Sequence, residues 1–272
     1  VDVAASSVQQ LQEIIAMAPG ARVHLKVDTG LNRNGSPESE WAELFRTAAQ
    51  AQAKKQVEIV GLWSHLAAAD HPEHPANDLQ EAAFDAAIAL AADVGLNPRW
   101  KHLANSAATA TRPSTHHDLV RVGIASYGIN PSPLVPIDGL TPVMTARARL
   151  AHVKDIAAGD SVSYGWTWTA SEDTRLALVP VGYGDGIARA GSNRLHVGFA
   201  GKKVPVRGTV CMDQFVIDIG NVDAQAGDWV TIFGTGVLGE PTAEDVAQDI
   251  GTIGYEVVTR LTGRWSRVVR GA

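Results

Sequence analysis

The first half of the chain alternates short apolar segments with amphipathic stretches, and this rhythm limits the folds that the chain can adopt. Strand-like segments are followed by helix-like stretches over residues 8–17, 41–53 and 78–94. Alternation at this spacing predicts βαβ units on a parallel sheet. The strand-like segments are residues 1–6, 22–30, 57–68, 99–107 and 116–128. A closed (β/α)8 barrel contains eight strands, so five segments predict part of one.

The second half has a different pattern. Four prolines interrupt any helix within residues 130–142. Beyond them lie short β-rich segments separated by turn residues, with one predicted helix from Ala243 to Ile250. We therefore expect two domains with a boundary near residue 135: an α/β domain over 1–135 and a mainly β domain over 136–272.

Composition argues against several classes of partner. The 29 acidic residues outnumber the 23 basic ones, the formal net charge is -6, and no block of basic residues is present. Nucleic acid and anionic membranes are therefore not expected partners. No apolar run is long enough to span a bilayer. The single cysteine, Cys211, excludes an internal disulfide and fits a reducing compartment such as the cytoplasm.

Polar side chains follow four consecutive strand-like segments, at the point where each segment ends. In parallel barrels the active site lies at this end of the strands. Four neighbouring strands with charged or hydrogen-bonding tips therefore predict a binding site. In chain order these residues are Lys26, Asp28, Arg33, His65, His102, Asn105, Ser106 and Arg121.

The residue types at these tips indicate an anionic ligand. Gly123-Ile124 follows Arg121, and a glycine lets backbone N–H groups approach an anion closely. Ser106 can add a hydroxyl group, and such a phosphate site is common after the last barrel strands. The guanidinium groups of Arg33 and Arg121 suit a carboxylate or a heteroaromatic partner. The alternative is that both arginines pair with Asp28 and surface acids.

Lys26 has two interpretations from its surroundings alone. The alternation of His24, Lys26 and Asp28 with apolar residues places it on the polar face of its strand. A desolvated lysine in a barrel can form a Schiff base. A lysine paired with Asp28 or another acid is the alternative, and the two stand about even.

Eight motifs, in order, resemble those of the alanine racemase family. They are VHLKVDTGLNRNG, GLWSHLAAAD, HLANSAATA, VRVGIASYG, VSYGWTWTA, VPVGYGDG, VCMDQ and IGYEVV. The resemblance covers the chain from about Val3 onward. It implies a (β/α)8 barrel, of which these residues are the C-terminal five βα units, followed by a mainly β domain. It also implies pyridoxal phosphate as cofactor and a homodimer that interconverts L- and D-alanine, supplying D-alanine for cell-wall peptidoglycan.

The resemblance implies catalytic roles for three residues. Tyr164 corresponds to the tyrosine that exchanges a proton with L-alanine, and in the family it reaches the site from the partner subunit. His65 and Arg121 correspond to residues that link this tyrosine to the pyridine ring. Arg121 would face the pyridine nitrogen and, being a poor proton donor, would leave it unprotonated. This limits the spread of the carbanion into the ring, and so limits side reactions.

The resemblance also implies binding roles. Arg33 corresponds to the residue that orients the substrate carboxylate, and Met212 with Tyr183 to groups that close a small pocket. The residues matching the phosphate binders are Ser106, Gly123, Ile124 and Tyr255.

The family resemblance assigns Lys26 a third role. It corresponds to a lysine that is often carbamylated and positions Arg33, whereas the family's Schiff-base lysine lies on the first barrel strand, in a motif resembling A-V-V-K-A-x-A-Y-G-H-G. No such motif occurs in these residues. We therefore expect the Schiff-base lysine in an upstream segment of the same protein, on three further βα units.

Other functions stay open at this point. They are a broader-specificity amino-acid racemase, a related barrel decarboxylase, and a catalytically incomplete fragment that acts as a structural module. Tyr183 and Met212 favour a small side chain, and the H-x-G-E-x-G phosphate loop of the decarboxylases does not occur. Residues 234–239 fit G-x-G-x-x-G but stand in a β-rich context that predicts a turn. His71 and His74 lack a third ligand at suitable spacing, so no metal is expected.

Overall fold

The protein divides into two compact units in its computed structural model, which describes residues 1–269. The first unit comprises residues 1–126 and 130–138. The second comprises residues 127–129 and the chain from 139 onward.

The first unit is a parallel sheet flanked by helices, with its four strands in the order β1-β2-β3-β4. Neighbouring strands follow each other along the chain and pair in parallel, as βαβ units require. The strands are β1 (Val3–Ala5), β2 (Ala21–Lys26), β3 (Val57–Trp63) and β4 (Trp100–His102). The helices are α1 (Val8–Met17), α2 (Glu38–Ala53), α3 (Ala76–Asp93) and α4 (Ser106–Thr111).

The core of this unit follows from the two periodicities of the sequence. Helix α2 buries Trp41, Leu44, Phe45 and Ala48, which recur at helical spacing on one face. Strand β2 buries Val23 and Leu25 at alternate positions. These side chains form one continuous apolar cluster, which holds the strand ends in place.

The predicted fifth strand does not form. Residues 116–123 run as an irregular segment into a short 3-10 turn over Ile124–Tyr127. Backbone bonds from Asp118 N to Lys101 O (3.1 Å) and from Arg121 N to Ala104 O (3.0 Å) tie the segment to β4 and the residues after it. Val120 and Val122 are 36% and 42% exposed, so no apolar face favours a regular ladder. The described residues of this unit therefore hold four strands, one fewer than predicted.

The second unit is built on a seven-stranded sheet in the order β5-β11-β8-β9-β10-β7-β6, with all pairs antiparallel. Its strands are β5 (Ala146–Arg149), β6 (His152–Ile156), β7 (Thr174–Val179), β8 (His196–Phe199), β9 (Lys202–Arg207), β10 (Phe215–Asp218) and β11 (Trp229–Phe233). Two helices follow, α5 (Ala243–Ile250) and α6 (Gly254–Thr259).

Helix α5 has the predicted bounds because its end signals are local. The Thr242 hydroxyl accepts from Asp245 N, and the Asp245 carboxylate accepts from Thr242 N. Gly251 ends the helix in the left-handed conformation, with φ of 76°. Across the described residues, no helix is both long and apolar enough to cross a membrane.

Candidate active site

Arg121 is the centre of a cationic cluster at the carboxyl ends of β2, β3 and β4. Its guanidinium donates to the carbonyl oxygens of Ser64 (2.8 Å), His102 (3.0 Å) and Leu103 (3.1 Å). It also lies 2.9 Å from His102 Nδ1 and 3.3 Å from His65 Nδ1. The alternative in which Arg121 pairs with Asp28 or surface acids is therefore wrong, because carbonyls and imidazoles are its partners.

Burial shapes the charge states of this cluster. It lowers the pKa of Arg121 to about 10, so the guanidinium stays protonated at neutral pH. Burial, and next the charge of Arg121, lowers the pKa of His65 to about 4 and that of His102 to about 3. Both imidazoles are therefore neutral at pH 7.

The hydrogen bonds determine which imidazole nitrogen carries the proton. Arginine has no acceptor, so Arg121 donates to the Nδ1 atoms of His65 and His102. Each ring must then be the tautomer protonated on Nε2. His65 thus presents an N–H donor whose ring is held by a fixed positive charge.

Lys26 lies buried beside this cluster without a carboxylate partner among the described residues. Its Nζ is 4.4 Å from the centroid of the Trp63 ring, in a cation–π contact. Burial, then Arg33 and Arg121, lowers its pKa, against an opposing effect of Asp28. The carboxylate of Asp28 instead accepts from the backbone N–H groups of residues 30 and 32. Of the two interpretations of Lys26, the one that pairs it directly with Asp28 is therefore not found.

Arg33 lies exposed in a loop that is anchored at both ends. Asp28 N donates to Ser36 O (2.8 Å), and Ser36 N donates to Lys26 O (2.9 Å). A Cβ at Gly35 would lie 2.8 Å from Asp28 N, so only glycine permits this return. Within residues 1–269 Arg33 makes no ion pair, and its guanidinium is available to a ligand.

Ser106 lies within hydrogen-bond distance of Gly123, and Ile124 follows at the start of the 3-10 turn. Asn105 caps α4 by accepting from Ala108 N (3.0 Å), which places Ser106 at its first position. The Ser106 hydroxyl accepts from Gly123 N at 2.9 Å. A Cβ at Gly123 would meet no protein atom within 4 Å, so the glycine leaves open space beside two hydrogen-bonding groups.

Tyr164 belongs to the second unit and is 74% exposed. Its backbone is held by a reciprocal contact between two loops: the Ser163 hydroxyl donates to Thr209 O (2.6 Å), and the Thr209 hydroxyl donates to Tyr164 O (2.8 Å). Ser163 has a φ of 64°, a strained value for a residue with a side chain. The strain and the paired loops fix the point from which the tyrosine projects.

Tyr183 and Met212 lie on two adjoining loops of the second unit. Tyr183 N donates to Cys211 O (3.0 Å), and Gly184 N donates to Met212 O (2.8 Å). Their side chains are 42% and 56% exposed. The structure therefore brings these two predicted pocket residues together. Tyr255 lies on α6 of the same unit.

Sequence reasoning missed the residues that support these loops. In the first unit, Gln80 of α3 donates to His65 O (3.1 Å) and to the Thr29 hydroxyl (3.2 Å), and accepts from Ala67 N (2.7 Å). In the second, the buried Asp185 carboxylate accepts two bonds from Arg264. A polar residue on the apolar face of α3 was the available signal for Gln80, whereas the Asp185 pairing spans 79 positions and has no local signal.

The glycine pattern at residues 234–239 and the pair His71 and His74 have structural explanations. The carboxylate of Glu240 accepts from Gly236 N (3.1 Å) and Leu238 N (2.8 Å), so the loop 234–239 satisfies its own donors. His71 and His74 lie in turns before α3. Throughout the part of the chain that the structure describes, no group of three His, Cys, Asp or Glu side chains is placed to hold a metal ion.

A unit with a parallel sheet and a cationic cluster at its strand ends, followed by a mainly β unit with a projecting tyrosine, places this protein in the class with a barrel-like domain followed by a β domain. Residues 1–131 match the family profile "Alanine racemase, N-terminal domain", and residues 143–269 match "Alanine racemase, C-terminal domain". The chain belongs to the alanine racemase family, whose members are known to use pyridoxal phosphate.

Individual relatives agree with this assignment. The chain is 49% identical over 265 residues to the alanine racemase of Salinispora tropica, covering 96% of this chain and 71% of that protein. Identity to the alanine racemase of Thermobifida fusca is 46% over 276 residues, covering 100% and 74%. The crystal structure of alanine racemase from Streptomyces lavendulae has a TM-score of 0.97 at 48% identity, covering 100% of this chain and 73% of that chain. The Streptomyces coelicolor enzyme has a TM-score of 0.96 at 45% identity, covering 98% and 72%.

Proposed function

We propose that this protein is an alanine racemase that interconverts L- and D-alanine by proton transfer at Cα with two bases. The observation that carries the proposal is Arg121, a permanent cation held by three carbonyl oxygens beside a neutral His65. The geometry supports a site in which one group stays charged while its neighbour donates a hydrogen bond.

The residues present fit pyridoxal phosphate. The open space beside Gly123, with the Ser106 hydroxyl, suits a phosphate, and we assign Ile124 and Tyr255 to the same group. The terminal nitrogens of Arg121 have partners, so among the described residues its Nε–H is left for the pyridine nitrogen. When bound, the cofactor supplies the electron-withdrawing ring that makes the Cα–H of alanine acidic.

Arg121 restrains that chemistry because it keeps its proton. With a pKa of about 10, the guanidinium donates a hydrogen bond at neutral pH without giving up the proton. The pyridine nitrogen then stays unprotonated, which limits how far negative charge spreads into the ring. Side reactions such as transamination are disfavoured for this reason.

Tyr164 and His65 form the proton-transfer pair in this proposal. The Nε2–H of His65 donates a hydrogen bond to the phenolic oxygen of the Tyr164 side chain of the partner subunit in a homodimer. A donor at this oxygen stabilises the phenolate, the form that accepts the proton from L-alanine. Arg33 orients the substrate carboxylate, and Tyr183 with Met212 restricts the pocket to a small side chain.

Lys26 is proposed to carry a carbamate. It is a buried amine of lowered pKa near two guanidinium groups and has no carboxylate partner among residues 1–269. Addition of carbon dioxide forms an N–C bond at the neutral amine and releases one proton. The resulting anion would balance the charge of Arg33 and Arg121 and position Arg33.

The finer domain assignment is also part of the proposal. Residues 1–135 would bind the cofactor as part of an eight-stranded barrel, and residues 136–272 would supply the tyrosine. The chain covers 71% to 74% of the relatives described above. The Schiff-base lysine, which is the second base, would lie in the remaining segment. The product would be D-alanine, made in the cytoplasm and used for peptidoglycan.

Racemisation of each enantiomer by the holoenzyme tests the proposal. We expect activity on alanine and a yellow cofactor band that borohydride removes. For Tyr164→Phe we expect abstraction of the Cα proton from L-alanine, followed as its exchange with solvent deuterium, to fall at least about 100-fold. The loss from D-alanine should be far smaller, since the tyrosine serves one face. Tyr127→Phe, another exposed tyrosine, is the matched control. A colourless, inactive holoenzyme would favour a structural module, equal losses would refute the face-specific role, and activity on larger amino acids would indicate a broader racemase.

A further inference from the structure

A line of hydrogen bonds leads away from Arg121 through the ring of His102. His102 Nε2 lies 2.9 Å from His24 Nδ1, and His24 Nε2 lies 3.4 Å from the carboxylate of Asp2. Arg22 holds the second oxygen of Asp2 at 3.3 Å. The line, which we call the histidine relay, therefore crosses the sheet from the end of β4 to the residue before β1.

The relay has one direction of donation. Because Arg121 donates to His102 Nδ1, the proton of His102 is on Nε2 and is donated to His24 Nδ1. His24 then carries its own proton on Nε2 and donates it to Asp2. Each ring accepts on one nitrogen and donates on the other, so reversing any one bond would leave two donors facing each other.

Gly61 makes the relay possible. It is the register partner of His24 on β3, and a Cβ there would lie 1.9 Å from His24 Nδ1. The pairing of β2 with β3 shifts between Val23 and His24. Glycine weakens a strand interior and marks close approach of another group. The imidazole of His24 reaches across β3 through the gap that this glycine leaves.

Ring packing holds His102 in position for both of its bonds. The Trp63 ring is stacked on it at 5.6 Å with 9° between planes, and the ring of His24 meets it edge-on at 5.1 Å. The guanidinium of Arg121 lies 5.0 Å from the centroid of Trp63. In this position His102 Nδ1 faces the Arg121 donor and His102 Nε2 faces His24, so both neighbours favour the tautomer protonated on Nε2.

We propose that Asp2, His24 and Gly61 are positioning residues that act on Arg121 through the tautomer of His102. They keep Nδ1 of His102 an acceptor, and this fixes the plane of the guanidinium. What Arg121 then contacts rests on the proposed function, but the relay itself does not. The carboxylate of Asp2 also places a negative charge near the cationic cluster, separated from Arg121 by the two histidine rings.

Nitrogen-15 NMR of the holoenzyme labelled in histidine tests the relay directly. We expect a scalar coupling across the hydrogen bond between His102 Nε2 and His24 Nδ1, with the proton on His102. A His102 ring protonated on Nδ1, or the lack of a coupling, would overturn the proposal. If the coupling is present but alanine is not racemised, the relay stands and the proposed function fails.

Three variants separate positioning from folding. For Gly61→Ala and His24→Phe we expect kcat to fall between about 10- and 100-fold with little change in KM, because the guanidinium stays present but misplaced. Their NMR spectra should show His102 protonated partly on Nδ1. Asp2→Asn, at the solvent end, should shift the same signals if the buried variants do not fold. His196→Phe, paired with Asp249 elsewhere, is the control. An unchanged His102 tautomer with unchanged kcat in all three would refute the proposal.

Discussion

At the scale of single residues, this protein places positive charges together without neutralising them with acids. Arg121 is held by carbonyl oxygens, Lys26 by an aromatic ring, and His65 and His102 lose their charge instead. Carbonyls orient a guanidinium without cancelling its charge, whereas a carboxylate would do both. The cluster therefore keeps its attraction for an anionic ligand.

The low pKa of His102 makes stability depend on pH. In the unfolded chain His102 binds a proton near pH 6.5, whereas in the folded protein its pKa is about 3. Lowering the pH between these values therefore favours unfolding. We expect the free energy of unfolding to fall by up to about 1.4 kcal/mol per pH unit from this residue, less where water screens it. Urea titrations at several pH values should show that the free energy of unfolding of His102→Asn changes less steeply with pH, between pH 6.5 and 4, than that of the unaltered protein. His152→Asn, at an exposed strand position, should keep the full slope; equal slopes in both variants would contradict the assignment.

At the scale of elements, the second unit positions its side chains through loops that touch backbone to backbone. Gly182 faces the loop after β9, and a Cβ there would lie 2.2 Å from Cys211 O and 2.4 Å from Met212 O. Gly208 packs likewise on the loop before Tyr164, where a Cβ would lie 2.6 Å from Val162 O. Loops held this closely place side chains nearly as firmly as strands do.

Alanine at two neighbouring glycines tests this packing. Gly182→Ala must displace backbone, so we expect a loss of about 3 kcal/mol in the free energy of unfolding. In Gly184→Ala the new Cβ would lie 3.2 Å from Met212 O and 3.4 Å from the Met212 side chain, contacts that a small shift relieves, so it should cost at most about 1 kcal/mol. Chemical denaturation of both variants gives the comparison. Equal losses would show that the loops are looser than their contacts indicate.

At the scale of the whole molecule, the residues proposed for function are divided between the two units. Lys26, Arg33, His65 and Arg121 belong to the first unit, and Tyr164 with Met212 belongs to the second. The proposal gives each site its tyrosine from the partner subunit. Hybrid dimers of two inactive variants can therefore regain one intact site.

The recovery of an intact site in hybrid dimers can be measured by dissociating the Tyr164→Phe and Arg33→Ala dimers reversibly, mixing their subunits and letting them reassociate. Hybrid dimers are half of a statistical mixture and carry one intact site of two, so we expect about a quarter of wild-type racemase activity. Each variant refolded alone is the control and should stay inactive. If the tyrosine served its own subunit, every site in the mixture would carry a lesion and no activity would return.

Local sequence signals predicted much of the architecture. Helix α5 was placed correctly because its Thr242 cap and its glycine end lie within ten residues of each other. Strands β3 and β4 lie within their predicted segments and β2 begins one residue before its own, since alternation is a local property. The fifth strand was wrong because its segment makes separate backbone bonds, from Asp118 and Arg121, in place of a regular ladder, and its Val120 and Val122 stay exposed.

The sequence by itself determined the order of the elements, the division between an α/β and a β half, and the family, because periodicity and motifs are read along the chain. Only the tertiary structure decided which partner each charge has. It separated Lys26 from Asp28, gave Arg121 carbonyls in place of acids, and joined His24 to His102 across 78 positions. Contacts of that kind depend on strand register and on the space left at Gly61, and neither is encoded in any one segment.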